Sequence, residues 1–416
     1  MNEGFKKAGA GRDDPLAGTD LTDPAIVADP HPTYARLQAE APVAWSHQLH
    51  GWLVTRYDDV HRALLHPKLS VEKLEPFVAH SSAGDRENVE VLGAALSDWM
   101  VFKDPPTHTQ LRRSLKDAFM PKEIAELKPR VRAIVDELLD ELPAGEPVDI
   151  VERFAFPLPA MVIGDLFGLP REDLDQLKAW SDDLGKFVLA STEADSDRIY
   201  RLAGRAVVGM KERFGRLVAD HRGEARDNFT SRLIANSGEL STDQIVHTLM
   251  LVLWAGHETT TNLLATAAHY ICGAPGEFAR LRAEPESIPA AVEECLRADG
   301  PAHMLVRLAK EALDIGGQKI NAGERVFVLM NAANRDPAFV DDPHTVDLAR
   351  APNKHLGFGR GIHMCLGAPL ARLEGEQALL GLTQRFGDIR FAGPPTEWRQ
   401  NLIIRGPRRL EVVLEA

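Results

Sequence analysis

HLGFGRGIHMCLG, His355 to Gly367, is the stretch on which the reading of the whole chain turns. Its four glycines, at 357, 359, 361 and 367, permit tight backbone bends and expose amides. Cys365 falls just ahead of a predicted helix that carries Pro369 in its first turn. The positive end of such a helix, with its unpaired amides, stabilises a thiolate. Gly367 and Ala368 are small enough for a flat macrocycle to approach, so the stretch reads as a seat for a thiolate beneath a metal cofactor. GFGRG alone resembles a phosphate-binding loop, but it lacks a buried strand before it and a helix directly after it.

The composition is that of an ordinary globular chain: 416 residues, 44% hydrophobic and 26% charged, enough to bury a large core. A net charge of -13 without any Lys/Arg block argues against nucleic acid and against anionic membrane surfaces. Apolar runs stop short of the ~18 residues of a membrane span and no secretory leader opens the chain, so a cytoplasmic protein is expected. Cys272, Cys295 and Cys365 are far apart and odd in number, against a disulfide framework or a zinc cluster.

Residues 1–22 are polar and aperiodic and read as a flexible tail; residues 23–416 read as one helix-rich domain with small sheets. A helix is expected to end near Ala41, followed by a strand at GWLVTRY and a helix from Tyr57 to Leu65. Residues 69–99 read as a long loop over a pocket or a plain surface excursion, both open. After Asp104-Pro105-Pro106 a helix places His108 and Arg112 on one face. Ser241 and Gln244 form a capping box that opens a long helix to about Ile271, apolar on nearly every side in its first half. Its centre reads Ala255-Gly256-His257-Glu258-Thr259-Thr260, and an acid and two hydroxyls there are costly without a purpose. Glu294 and Arg297 stand three apart on a later helix, short strands follow, and a helix succeeds the cysteine.

Phe358, Gly359, Gly361, His363, Cys365, Leu366 and Gly367 together resemble the haem-binding signature of the cytochromes P-450, and AGHETT and E-x-x-R join the resemblance. It covers the chain from about Pro24 onward. It implies a mainly α fold with small β-sheets, a single domain with haem b between the long central helix and the cysteine loop. It makes Cys365 the thiolate ligand of the iron, which pushes electron density onto the metal and favours O–O cleavage. Phe358 and Ala255 would also border the haem. The anionic propionates would be met by His108, Arg112, Arg307 and His363. Glu294 and Arg297, with Arg350 as third member, would form a structural network.

Reductive splitting of O2 takes up two protons, and the resemblance assigns that supply to Thr259 and Glu258. For Glu258 a surface salt bridge stays open, and His257 reads as structural. Trp254 departs from the family's smaller aliphatic residue; facing the pocket and packing into the core both stay open. Phe77, Leu92, Leu96, Phe187, Val188, Leu251, Trp254, Leu305 and Ile403 are candidate pocket residues and suggest a hydrophobic organic substrate. The expected function is monooxygenation, hydroxylation above all, by a monomer that takes electrons from a separate iron-sulfur ferredoxin and its reductase, with NAD(P)H acting only through them. Arg113, Lys116, Arg360 and Arg372 would offer the donor a basic patch. A peroxide-driven peroxygenase and a non-catalytic haem sensor are the rival readings.

Overall fold

The computed structural model describes residues 12–72, 86–188 and 196–416. The chain divides into two compact units: Met1–Ser70, Val135–Ala155 and Thr259–Ala416 form the first, and Val71–Ile134 and Phe156–Glu258 the second. No helix among the described residues is long and apolar enough to cross a membrane.

The first unit is built on a five-stranded sheet with the order Val43–Ser46, Gly51–Val54, Arg325–Leu329, Met304–Ala309, Leu69–Ser70. Gly51–Val54 pairs antiparallel with its predecessor and parallel with Arg325–Leu329. β-Branched residues supply its buried centre: Val54, Val326 and Val328 are fully enclosed. The flexible tail expected over residues 1–22 does not hold from Arg12 onward. Leu16 and Leu21 are buried, and Arg12 lies over the rings of Trp45 and Trp52 at 4.5 and 4.7 Å while donating to Glu324 at 2.7 Å. Two aromatic faces and a carboxylate give an isolated arginine more than enough to hold it.

The helix Ile288–Asp299 carries the E-x-x-R pair. Arg297 donates twice to Glu294, at 2.7 and 2.8 Å, and Arg350 adds a third bond at 3.2 Å. Arg297 also reaches the carbonyls of Asn334, Pro343 and Thr345, tying the aperiodic passage before the cysteine loop to this helix. A buried ion pair needs such additional bonds to offset its desolvation.

In the second unit, helices Leu174–Val188 and Ser196–Gly223 pack together, with Trp180 against Gly209. The loop expected over residues 69–99 is largely a correction. Residues 86–97 form the helix Arg86–Ser97, and Asn88 sits so close to Gly204 that a Cβ there would lie 2.6 Å from its Oδ1. Val89, Leu92 and Leu96 recur at three and four residues and are buried, a helical period interrupted to the eye by Gly93. Phe77 lies outside the described residues. Helix Pro157–Phe167, absent from the sequence reading, is too uniformly apolar to show a period and ends at Gly168 with φ 76°.

The central helix runs Thr242–Gly273, and the division between the units falls within it, between Glu258 and Thr259. Its capping box forms as the sequence requires: Gln244 N–H donates to Ser241 Oγ at 3.2 Å, and Ser241 N–H to Gln244 Oε1 at 3.0 Å.

Candidate functional site

In the first unit the cysteine loop is shaped by backbone. Gly359 and Gly361 adopt φ of 68° and 75°, a region that favours glycine, and a Cβ on Gly361 would also press on Leu65 at 2.9 Å. A short 3-10 turn, Gly361–His363, follows, and Cys365 N–H closes the loop on the Phe358 carbonyl at 2.9 Å. The helix Ala368–Arg385 begins three residues later, with Pro369 in its first turn.

Cys365 is exposed, unlike buried Cys295. Burial drives the Cys295 thiol above its ordinary range and that of Cys272 up to about 12, so neither yields a thiolate readily. Around Cys365, Ile362 and Met364 are exposed apolar side chains, and a Cβ on Gly367 would meet nothing within 4 Å. An exposed cysteine just ahead of a helix N-terminus, with exposed apolar Ile362 and Met364 beside it in the chain and room at Gly367, fits a flat, iron-bearing macrocycle. Arg307 is buried in the strand Met304–Ala309 of the same unit and offers a cation to an anionic group, and His363 stands two residues from the sulfur.

In the second unit His108 and Arg112 stand one turn apart on the helix Thr107–Lys116. His108 is buried, and burial followed by the Arg112 charge pushes its pKa below the usual value. Arg113 and Lys116 on the same helix are exposed. Arg372, expected in a basic patch with them, is instead claimed by an acid: it forms a bidentate pair with Glu293 at 2.6 and 2.9 Å. Arg360 is half-buried, with its Nε enclosed.

Glu258, Thr259 and Ala255 are half-buried and lie on one helix. Gly256 permits a close crossing, since a Cβ there would lie 2.9 Å from Ile163 Cδ1. His257 is buried, and its ring meets Phe156 edge-on at 4.2 Å, a packing role. Trp254 stacks on Trp99 with centroids 5.3 Å apart and 28° between the rings, and its Nε1 lies 3.2 Å from where a Cβ of Gly185 would be. The large indole is thus accommodated by a second indole and by a glycine on the opposing helix. Leu92, Leu96 and Leu251 are fully buried in this unit, while Phe187 and Val188 are half-buried. In the first unit Leu305 and Ile403 are half-buried on segments joined by the His303 N–H to Ile403 carbonyl bond of 2.9 Å.

The sequence reading gave no role to Glu293, His355, Asp299 or Arg405. Arg405 donates to Asp299 at 2.7 Å, and Asp299 also receives Tyr270 at 2.6 Å. Burial opposes the charge on Asp299, but Arg405 and His31 outweigh it and hold the carboxyl well below its usual range. The doublet Glu293-Glu294 was the available signal: on a helix its two acids point to different neighbours.

The sequence profile described as "Cytochrome P450" matches residues 53–395. Cytochrome P450 107B1 of Saccharopolyspora erythraea is 36% identical over 401 residues, covering 94% of this chain and 96% of that protein. The 6-deoxyerythronolide B hydroxylase of the same organism is 36% identical over 406 residues, with 95% and 98% covered. Among solved structures, P450BioI in complex with an acyl carrier protein ligated to hexadec-9Z-enoic acid superposes with a TM-score of 0.87 at 31% identity, covering 95% and 100% of the two chains. With the profile spanning most of its length and relatives 36% identical over nearly the whole chain, the chain belongs to the cytochrome P450 family and is a haem-dependent monooxygenase.

Proposed function

We propose that Cys365 would supply the thiolate that holds the haem iron and that Glu258 and Thr259 supply protons for inserting one oxygen atom of O2 into a hydrophobic organic substrate, with hydroxylation as the outcome. Thiolate-ligated haem, when bound, supplies the activation of O2. The chain's own residues do the rest. The amides opening the helix Ala368–Arg385 favour the anionic sulfur. Arg307 and His363 in the first unit would offer donors to the haem propionates, and His108 and Arg112 in the second unit carry the same kind of donor chemistry. Two protons are taken up for each O2 split: Glu258 would draw each from solvent and resupply the Thr259 hydroxyl, and Thr259 Oγ1 would hand it to the oxygen that leaves as water. Phe358 and Ala255 are assigned apolar contact with the cofactor. Leu305 and Ile403 in the first unit, and Phe187, Val188 and Trp254 in the second, offer apolar surface to the substrate.

Electrons are assigned to a separate iron-sulfur ferredoxin and its reductase, in a cytoplasm that keeps the three free cysteines reduced. The observation that carries this reading is the exposed Cys365 on a glycine-shaped loop, set against the buried, proton-retaining Cys295. It is tested with haem-loaded protein and carbon monoxide: the wild type gives the thiolate-specific Soret band on reduction, and Cys365→His abolishes it. Thr259→Ala should keep that band but lower product per electron by roughly 10²-fold, diverting reductant to hydrogen peroxide. Unchanged coupling removes Thr259 from the proton path, and turnover on peroxide alone at the full rate favours the peroxygenase reading.

A further inference from the structure

Arg372 stands in the second turn of the helix Ala368–Arg385, seven residues beyond Cys365, and it does not face solvent as a free cation. Its guanidinium donates through Nε to Glu293 Oε1 at 2.6 Å and through Nη2 to Oε2 at 2.9 Å, a fork-to-fork pair. The same guanidinium lies over the Phe358 ring, 4.6 Å from its centroid. His355 completes the arrangement. Gly357 N–H donates to its Nδ1 at 3.0 Å, so Nδ1 is an acceptor and the proton of the neutral ring sits on Nε2, which donates to Glu293 Oε2 at 3.1 Å. A Cβ on Gly357 would lie 2.9 Å from the Leu296 carbonyl, so the loop here is pressed against the helix that carries Glu293. Phe358, held beneath Arg372, accepts the Cys365 N–H through its own carbonyl.

We propose that Glu293, Arg372 and His355 are positioning residues that fix Phe358 and the Cys365 turn, and that the balance of their one cation and one anion sets the reduction potential of the thiolate-bound iron. The inference rests on the assignment of Cys365 as the iron ligand. The redox step is the uptake of one electron by ferric haem, from the ferredoxin in the cell or from dithionite in the cuvette, which makes the site one charge more negative. A nearby cation stabilises that product and raises the potential, and a nearby anion lowers it. Arg372 is the member tied to the cysteine turn by geometry: its guanidinium lies over the Phe358 ring, and the Phe358 carbonyl accepts the Cys365 N–H. Glu293 is opposed by burial, yet the bonds from Arg372 and His355 prevail and hold it at about 2, so the pair stays ionised. The cationic end of this ion pair is the end held over the cysteine turn, and removing either partner unbalances the pair in opposite senses.

The test is a spectroelectrochemical titration of the haem-loaded full chain. The wild-type reduced carbon monoxide spectrum comes first, because loss of the thiolate band there would refute the ligand assignment whatever the variants do. Given that band, Arg372→Gln should lower the midpoint potential, Glu293→Gln should raise it, and the double variant should return toward wild type. Arg372→Lys keeps the charge without the fork, so it should hold the potential while a smaller fraction of the protein retains the thiolate band. A merely structural role predicts shifts of one sign in both single variants, and that result, or no shift in either, overturns the proposal. If Arg372→Gln does not hold haem, Arg372→Lys and Glu293→Gln still decide it, because equal shifts in those two are incompatible with a charge balance.

Discussion

Glu294 and Glu374 are both fully buried in the first unit, on the helices Ile288–Asp299 and Ala368–Arg385, and they are opposites. Glu294 receives five donors: two from Arg297 and one each from Arg350, Asp347 N–H and Asn353. Glu374 Oε2 finds no partner among the described residues, and burial alone pushes its pKa well above the usual carboxyl range. One is the acceptor at the centre of a five-donor network, and the other is a carboxyl that burial without a donor at Oε2 biases toward its protonated form. Equal burial therefore says nothing about charge, and the donors around a carboxyl decide it.

The largest test of that contrast is Glu294→Ala. It strands Arg297, which is completely enclosed, and should cost about 3–5 kcal/mol in urea unfolding. A loss under about 1 kcal/mol would show that the network can be relaxed by water, and the contrast would fail. A smaller effect extends the rule to a base. His303 is buried, held by Tyr34 on one ring nitrogen and by the Asn331 amide on the other, and burial lowers its pKa from 6.5 to about 3. Between those two values the unfolded chain takes up a proton that the folded chain refuses. Its contribution is thus complete above pH 6.5 and is lost progressively as the pH falls toward 3. Urea midpoints measured against pH should show that slope in the wild type and a shallower one in His303→Gln. The smallest effect belongs to Glu374→Gln, which exchanges one neutral polar group for another and should stay within about 1 kcal/mol. A cost near that of Glu294→Ala would mean that Glu374 is ionised after all.

How much of this was legible in the chain depends on the range of the interactions. The capping box at Ser241, the long helix it opens and the glycine-shaped loop before Cys365 are local, and each could be read from adjacent residues. Arg86–Ser97 was legible in principle, since Val89, Leu92 and Leu96 keep the helical period, but Gly93 and the polar residues between them hid it. The partner of Trp254 was not legible: its accommodation depends on Trp99 and Gly185, which are remote in sequence and adjacent only after folding. The same holds for Arg372, an apparent surface cation whose acid comes from 79 residues earlier. Arg12 lies at the edge of a segment with no period at all, and only the two indoles and Glu324 give it a place.

The parallel pairing of Gly51–Val54 with Arg325–Leu329 also constrains how the molecule comes into being. Trp52 donates to Glu324, 272 residues away, so the first strands leave the ribosome long before their partner is made. During that interval Trp52, Leu53 and Val54 form an apolar edge with nothing to pair. A sheet assembled from such distant segments closes slowly, because the loop entropy must be overcome before any pairing contributes. The cysteine loop packs on the helix that follows those first strands, through Gly361 and Leu65. The cysteine loop thus gains its full support only once Arg325–Leu329 has been made and paired, and until then the apolar edge of Gly51–Val54 is the part of the chain most open to wrong pairing.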